Sequence, residues 1–177
     1  MVSGRLSVFA PVEFITEILK QYLGEFSHRY PALELEFLSG AARPDLLHDK
    51  LDVIIHPDVP EDSSFVAIKL CSGRTDYYAS PAYLDKMGAP RIPADLGDHN
   101  CLTFRAQPGS NVWTFRGAEG KVEVQASGSL FADSADALPA AAVAGLGVIL
   151  APSWLIECDL AEGRLKGGIF IADEVLA

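Results

Sequence analysis

The first 55 residues alternate between two spacings of apolar residues, and this order restricts the fold more than any other feature. Residues 5–10 alternate as a strand does, and residues 14–26 then place apolar side chains at helical intervals. Residues 33–37 alternate again, residues 44–49 suit a short helix, and residues 53–55 form an apolar run. The order βαβαβ predicts an α/β fold with a mostly parallel sheet covered by helices on both faces.

The middle of the chain predicts a helix with defined ends between strands. Residues 65–70 alternate as a strand does, and residues 77–79 lead into Ser80 and Pro81, an N-cap hydroxyl followed by proline at the first helical position. Gly88 is placed to end that helix. Further strands are predicted at 101–104, 113–115, 122–124 and 129–132, with a turn over 117–120.

Residues 137–156 contain no charged side chain and are long enough to span a bilayer. Two prolines and two glycines interrupt them, and the pattern changes from alanine-rich to the β-branched Val148 and Ile149. We therefore predict a helix capped by Asp133 and Ser134, a turn at Gly145 that needs positive φ, and a buried strand, without a membrane span.

Charge and composition exclude several classes of function. The chain has 177 residues, 49% of them hydrophobic, and 24 acidic against 14 basic residues give a formal charge of −10. Direct binding of this chain to DNA is not expected, because a phosphate backbone needs a concentrated basic surface. No basic segment followed by an apolar run opens the chain, so a cytoplasmic location is expected.

The residues that commonly carry catalysis or bind metals form no recognisable motif. Cys71, Cys101 and Cys158 lack CxxC spacing and histidines at ligand distance, which favours buried, reduced thiols. Nucleophile elbows, HExxH, P-loops and GxGxxG are absent, and no pair of carboxylates suggests acid–base work. We expect neither an enzyme, nor a metal site, nor a cofactor.

Several short segments occur in an order shared with one known family. They are GRLSVFAP, LDVIIHP, EDSSFVAIKL, ASPAYL, GAPRIPADLGDHNCL, WTF, AAAVAGLGVILAPSWL and DLAEGRL. Each is weak alone, but together and in this order they resemble the effector-binding domain of LysR-type transcriptional regulators across nearly the whole chain.

The resemblance implies two Rossmann-like α/β lobes joined by crossover strands, similar to type 2 periplasmic binding proteins. Lobe I would comprise residues 1–77 plus 163–177, and lobe II residues 78–162. The family's winged helix-turn-helix has no counterpart here, and its usual final strand and helix have none after residue 165. Lobe I is therefore expected to be incompletely covered.

The resemblance also implies a small-molecule effector in the cleft between the lobes, where loops follow the carboxyl ends of strands. The expected effector-binding residues are Pro11, Val12, Glu13, Phe14, Ser39, Gly40, His56, Pro57, Phe104, Phe131, Ala132 and Asp133. His56 is either a ligand contact or a packed polar residue.

Two of these residues favour a particular effector charge. Helix N-termini attract anions, but Glu13 and Asp133 already bring carboxylates to two of them. A neutral or cationic effector with an apolar body against Phe14 and Phe104 is expected. The alternative for Glu13 is that it caps its own helix and points to solvent.

The expected partners follow from the same resemblance. Two copies would pair antiparallel, with residues 13–28 of one against 134–144 of the other, and the full-length protein would be a tetramer that meets DNA only through its N-terminal domain. No membrane partner is expected. The alternatives are a solute-binding receptor of a transport system, which shares the fold, and an enzyme built on the same scaffold.

Overall fold

A computed structural model describes residues 2–40, 44, 48–56, 65–70, 73–104, 111–117 and 120–169. The chain divides into two compact units, Met1–Ser72 and Gly73–Ala177.

The first unit contains a three-stranded parallel sheet in the order β2-β1-β3. Its strands are β1 (Gly4–Phe9), β2 (Leu33–Leu38) and β3 (Val53–Ile54). The central strand pairs Leu6 with Leu35 and Val8 with Val53. The predicted parallel βαβ arrangement of this region is confirmed.

A single run of helix connects β1 to β2. It consists of α1 (Val12–Phe14), a π-helical turn (Ile15–Leu19) and α2 (Lys20–Arg29). Its apolar side chains are at most half-buried, and none is fully enclosed. The predicted helix is therefore correct in position, but it closes no tightly packed core.

One face of the first sheet is polar. The Ser7 hydroxyl donates a hydrogen bond to Glu36 Oε2 (2.7 Å), and the Ser7 backbone N–H donates to Asp52 Oδ2 (2.9 Å). Arg5 forms exposed ion pairs with Glu34 and Glu36. Ser7, Glu36 and Arg5 lie on the same face because strand side chains alternate with a period of two.

Two predictions for this unit meet different outcomes. Residues 65–70 were expected to form a strand, but they form none, and the side chains of Val66 and Ile68 are 89% and 78% exposed. An alternating pattern supplies one apolar face, whereas a strand also needs a partner for its backbone groups, and no described strand pairs here. Most of the predicted helix at 44–49 lies outside the described residues.

The second unit is built on a five-stranded mixed sheet in the order β10-β4-β9-β5-β8. The strands are β4 (Thr75–Ala79), β5 (Cys101–Phe104), β8 (Phe131–Ala132), β9 (Val148–Pro152) and β10 (Lys166–Gly167). Strand β4 runs antiparallel to β9, whereas β5 is parallel to both β9 and β8. Strand β10 pairs with β4 in this sheet, and the division into lobes at residues 77 and 163 stays a prediction.

Both faces of this sheet carry buried apolar clusters. One contains Tyr77, Cys101 and Val148 with Trp113 and Phe115 of a hairpin. The hairpin strands are β6 (Val112–Gly117) and β7 (Gly120–Gln125), which pair antiparallel as predicted. The Tyr77 ring stacks on Phe115 with centroids 4.7 Å apart.

The opposite face is covered by helices. Leu102 and Ile149 pack with Leu138 and Ala142 of α4 (Ala137–Val143). Leu160 of α5 (Glu157–Ala161) is partly buried against the same cluster. The predicted sequence of helix, turn with positive φ at Gly145 (78°) and strand is confirmed. Among the described residues, no helix is long and apolar enough to cross a membrane.

The predicted helix ends differ in accuracy. The helix α3 (Pro81–Met87) begins as predicted, with the Tyr83 N–H donating to Ser80 Oγ (3.3 Å), and ends at Gly88 with φ 81°. For α4 the prediction is wrong: its N-cap is Asp136, because residues 133–136 form a bend and a turn first.

The three cysteines also differ. Cys101 is buried as expected, whereas Cys158 is exposed in the first turn of α5, contrary to the prediction. An apolar neighbourhood in the sequence does not decide which way a residue of a short helix faces. Cys71 lies outside the described residues.

Candidate functional site

The parallel strands of the first unit bring several predicted residues to one edge. The Ala10 N–H donates to Leu38 O (3.0 Å), and the Ile55 N–H donates to Phe9 O (2.8 Å). The segments that follow the three strands therefore leave the sheet side by side. They begin with Pro11, with Ser39 and Gly40, and with His56. Pro57 lies outside the described residues.

The turn after β1 presents both apolar and acidic groups. Pro11 occupies the N-cap of α1, and its carbonyl accepts a hydrogen bond from the Phe14 N–H (3.0 Å). Val12 is 48% exposed, and Glu13 lies in the first helical turn. The N-cap residue Pro11 makes no side-chain hydrogen bond to the helix, and the choice between a ligand contact and a cap for Glu13 stays open.

The second unit gathers its predicted residues at the carboxyl ends of β5 and β8. In this parallel pair Phe104 lies opposite Ala132, and Thr103 lies opposite Phe131. Phe104 and Phe131 are 36% and 52% exposed, and the exposed Asp133 follows directly. The edge thus carries an exposed carboxylate and two accessible rings, which the register places on opposite faces of the strand pair.

Asp76 lies at the same edge of the second sheet, although no sequence motif marks it as a site residue. Because β4 is antiparallel to β9, its first residues lie beside the last residues of β9, and Asp76 pairs with Ala151. The side chain is buried, accepts a hydrogen bond from the Tyr77 N–H (2.8 Å) and pairs with Arg74 (3.3 Å). Only the register of a long-range strand pair places this carboxylate at the edge.

Thr103 is a second residue that sequence reasoning missed. It is 1% exposed, and its hydroxyl has no hydrogen-bond partner within the described part of the chain. Buried hydroxyls are normally paired, so this one is an exception that needs a reason. The only signal in the sequence was a threonine between the apolar Leu102 and Phe104.

The buried titratable groups of the second unit are poor nucleophiles. Burial raises the pKa of the Cys101 thiol to about 11, and burial together with the Asp76 carboxylate raises the pKa of Tyr77. Both groups are therefore protonated near neutral pH. In the described ranges, no group of three histidine, cysteine or acidic residues is arranged to hold a metal ion.

Residues 1–167 match the family model described as the LysR substrate binding domain. The chain is 31% identical over 163 residues to the HTH-type transcriptional regulator CrgA of Neisseria meningitidis serogroup B, covering 92% of this chain and 54% of CrgA. It is 29% identical to the HTH-type transcriptional regulator PtxR of Pseudomonas aeruginosa, covering 92% of this chain and 52% of PtxR. The chain thus spans about half the length of these relatives.

The fold has a solved counterpart. The structure of the CrgA regulatory domain from Neisseria meningitidis matches with a TM-score of 0.83 at 29% identity, covering 99% of this chain and 86% of that domain. These relatives are transcriptional regulators rather than enzymes, and the family's fold is the type 2 periplasmic-binding-like α/β fold predicted above. The chain belongs to the family of LysR substrate-binding domains.

Proposed function

We propose that this chain is the ligand-sensing half of a cytoplasmic LysR-type transcriptional regulator, and not an enzyme. The match of residues 1–167 to the LysR substrate-binding family carries the proposal. The effector is a small molecule that contacts the residues following the carboxyl ends of the parallel strands. Control of transcription is exerted through a DNA-binding domain that lies outside these 177 residues.

Effector binding acts by changing the balance between conformations of the regulator. A ligand can do this only through different affinities for those conformations, and a tenfold preference supplies about 1.4 kcal/mol. The conformations differ in how copies of the regulator are arranged, and therefore in how the DNA-binding domains are spaced.

The regulator assembles as a homodimer through the helices of each copy, and as a tetramer at full length. Two surfaces support this pairing. Tyr22 on α2 is 57% exposed, and Ala137, Ala140 and Ala144 expose small side chains along and just after α4. Small residues permit close approach of a helix from a second copy, and an exposed aromatic side chain provides apolar area to bury.

The effector is neutral or cationic. Each edge carries exposed apolar side chains, Val12 in one unit and Phe104 with Phe131 in the other. On the second unit the exposed Asp133 carboxylate accompanies them, whereas Asp76 is already paired with Arg74. An anionic ligand would approach these groups against their charge, whereas an amine would be attracted to them.

A thermal-shift screen of the 177-residue chain against a metabolite library tests the proposal. A compound present at one hundred times its dissociation constant adds about 2.7 kcal/mol of stability to the state that binds it. We expect stabilising compounds among amines and neutral apolar metabolites. A folded sample that no library compound stabilises, or one that dicarboxylates alone stabilise, would contradict the proposal on ligand class.

Paired variants locate the site. Phe104→Ala and Phe131→Ala remove exposed rings, so we expect them to weaken binding of the best stabilising compound at least tenfold while leaving the melting temperature of the free chain nearly unchanged. Tyr22→Ala removes an exposed ring from the helix of the first unit and serves as the matched control. If Tyr22→Ala weakens binding and both phenylalanine variants bind normally, the edge of the second unit is not the site.

A further inference from the structure

His99 lies in a hydrogen-bond chain at the amino-terminal edge of the second sheet, away from the proposed effector edge. The hydroxyl of Tyr83, a buried residue of α3, lies 3.2 Å from His99 Nδ1. The same hydroxyl accepts a hydrogen bond from the Asn100 N–H at 2.9 Å. His99 directly follows a 3₁₀ helix (Pro93–Asp98), and the Tyr83 and His99 rings are 5.8 Å apart.

The direction of the Tyr83–His99 hydrogen bond depends on the form of the imidazole. The Tyr83 hydroxyl has one proton to donate and two lone pairs, one of which accepts from the Asn100 N–H. Within this chain of bonds the Tyr83 proton has an acceptor when His99 Nδ1 is unprotonated. The neutral imidazole with its proton on Nε2 is therefore the form that gives the Tyr83 proton an acceptor.

Asn100 extends this chain of hydrogen bonds to two further segments of the second unit. Its side chain accepts from the Ser129 N–H (2.7 Å) and donates to Leu146 O (2.7 Å), and its carbonyl accepts from the Val148 N–H (2.9 Å). Asn100 thereby ties the start of β5 to the segments that enter β8 and β9. Tyr83 connects helix α3 to that junction.

We propose that His99 is an acid-sensitive latch, whose protonation removes the hydrogen-bond acceptor of the Tyr83 hydroxyl and thereby weakens the attachment of helix α3 to the junction at Asn100. A proton on Nδ1 removes the acceptor for the Tyr83 hydroxyl and leaves a buried donor without a partner. The consequence is a second unit whose packing responds to mildly acidic pH, independently of any effector.

Burial and the nearby carboxylates shift the pKa of His99 in opposite directions. Burial lowers the pKa of His99 from its ordinary value of 6.5, while the Asp95 and Asp98 carboxylates raise it. Asp95 accepts hydrogen bonds from the Arg91 and Ile92 N–H groups.

Three other elements bring polar or charged groups near His99. Helix α3 faces it with the Tyr83 phenol, and β5 adds the Cys101 thiol. Strand β7 carries Lys121 and Glu123, which pair with each other.

The direction in which stability changes with pH follows from the lowered pKa of His99. In the unfolded chain His99 takes up a proton near pH 6.5, whereas the folded chain does so only at lower pH. Between those two values the unfolded state binds more protons, so stability is lost as the pH falls through 6.5 and stops falling below the folded value.

An NMR titration of the histidine ring nitrogens in the 177-residue chain tests the latch. We expect His99 to hold its proton on Nε2 at neutral pH and to titrate below 6.5. In Tyr83→Phe, which lacks the hydroxyl that stabilises the neutral ring, the midpoint should move to higher pH. A neutral form protonated on Nδ1, or a midpoint at or above 6.5, would overturn the proposal.

Melting temperatures give a second readout. Between about pH 7.5 and about pH 5.5 the wild-type chain should lose more thermal stability than His99→Gln, which accepts the Tyr83 hydrogen bond but does not titrate in this range. His28→Gln, at an exposed position of α2, is the matched control and should follow the wild type. If the melting temperatures of wild type and His99→Gln fall in parallel as the pH is lowered, the latch does not exist. If Tyr83→Phe does not fold, the NMR titration of the wild-type chain alone decides.

Discussion

The two units differ in how completely their sheets are covered. The five-stranded sheet of Gly73–Ala177 has a buried apolar cluster on each face, whereas the helix in Met1–Ser72 contributes no fully buried side chain to its three-stranded sheet. In the described part of the first unit, the buried residues are Ser7, Val8, Ala10 and Leu51.

The difference teaches that apolar patterning and burial are separate properties. The apolar pattern of residues 5–38 is at least as clear as that of residues 101–103. Of the former only Ser7, Val8 and Ala10 are buried, whereas all of the latter are. Patterning determines which face of an element is apolar, and enclosure depends on whether further elements pack against that face. We therefore expect the second unit to be the more stable one and the first to open more readily.

The largest predicted effect on stability comes from shortening a leucine, and it differs between the two sheets. Leu102→Ala removes a side chain with no exposed surface, so we expect a loss of about 3 kcal/mol of unfolding free energy. Leu35→Ala acts on a half-buried position and should cost about 1 kcal/mol.

Urea unfolding followed by tryptophan fluorescence separates the two cases, because Trp113 and Trp154 both belong to the second unit. Leu102→Ala should shift the fluorescence transition strongly and Leu35→Ala weakly. Equal shifts would mean that the two units are equally well packed and unfold together.

A close backbone contact provides the next test. A Cβ atom at Gly147 would overlap sterically with the Asn100 carbonyl oxygen, where strands β5 and β9 meet. Gly147→Ala should therefore destabilise the second unit by about 2 kcal/mol. Gly97→Ala, where a Cβ meets nothing within 4 Å, is the control and should change the transition little. An unchanged midpoint in Gly147→Ala would show that the strands can separate at this point without cost.

Local signals predicted much of the fold. Ser80, Pro81 and Gly88 each act on their own backbone, and the helix they enclose has the predicted ends. The parallel order of the first three strands and the β6–β7 hairpin were also predictable, because their elements are close in sequence.

The predictions that were wrong concern features that depend on distant parts of the chain. Residues 65–70 alternate but have no described pairing strand, and Cys158 faces solvent because of where α5 packs. At the candidate site, the exposed Phe104 and Phe131 were predicted, whereas Asp76 was not, since only its antiparallel pairing with β9 brings it to that edge.

The smallest predicted effect concerns the unpaired hydroxyl of Thr103. Thr103→Val keeps the shape of the side chain and removes a buried group without a partner, so it should stabilise the second unit by about 1 kcal/mol. Thr114→Val, at a half-buried position of the hairpin, is the control. Chemical denaturation measures both, and destabilisation by Thr103→Val would show that the hydroxyl does have a partner in solution.

Hydrogen exchange measured by mass spectrometry, on the free chain and with the strongest stabilising compound from the screen, tests the central claim most directly. We predict faster exchange in β1 and β2 than in β5 and β9 of the free chain. With the compound, exchange should slow in peptides that contain the strand ends near Ala10, Gly40 and His56, or those near Phe104 and Asp133. A compound that slows exchange only in α2 or the β6–β7 hairpin, away from the strand ends, would contradict the assignment of these edges as the effector site.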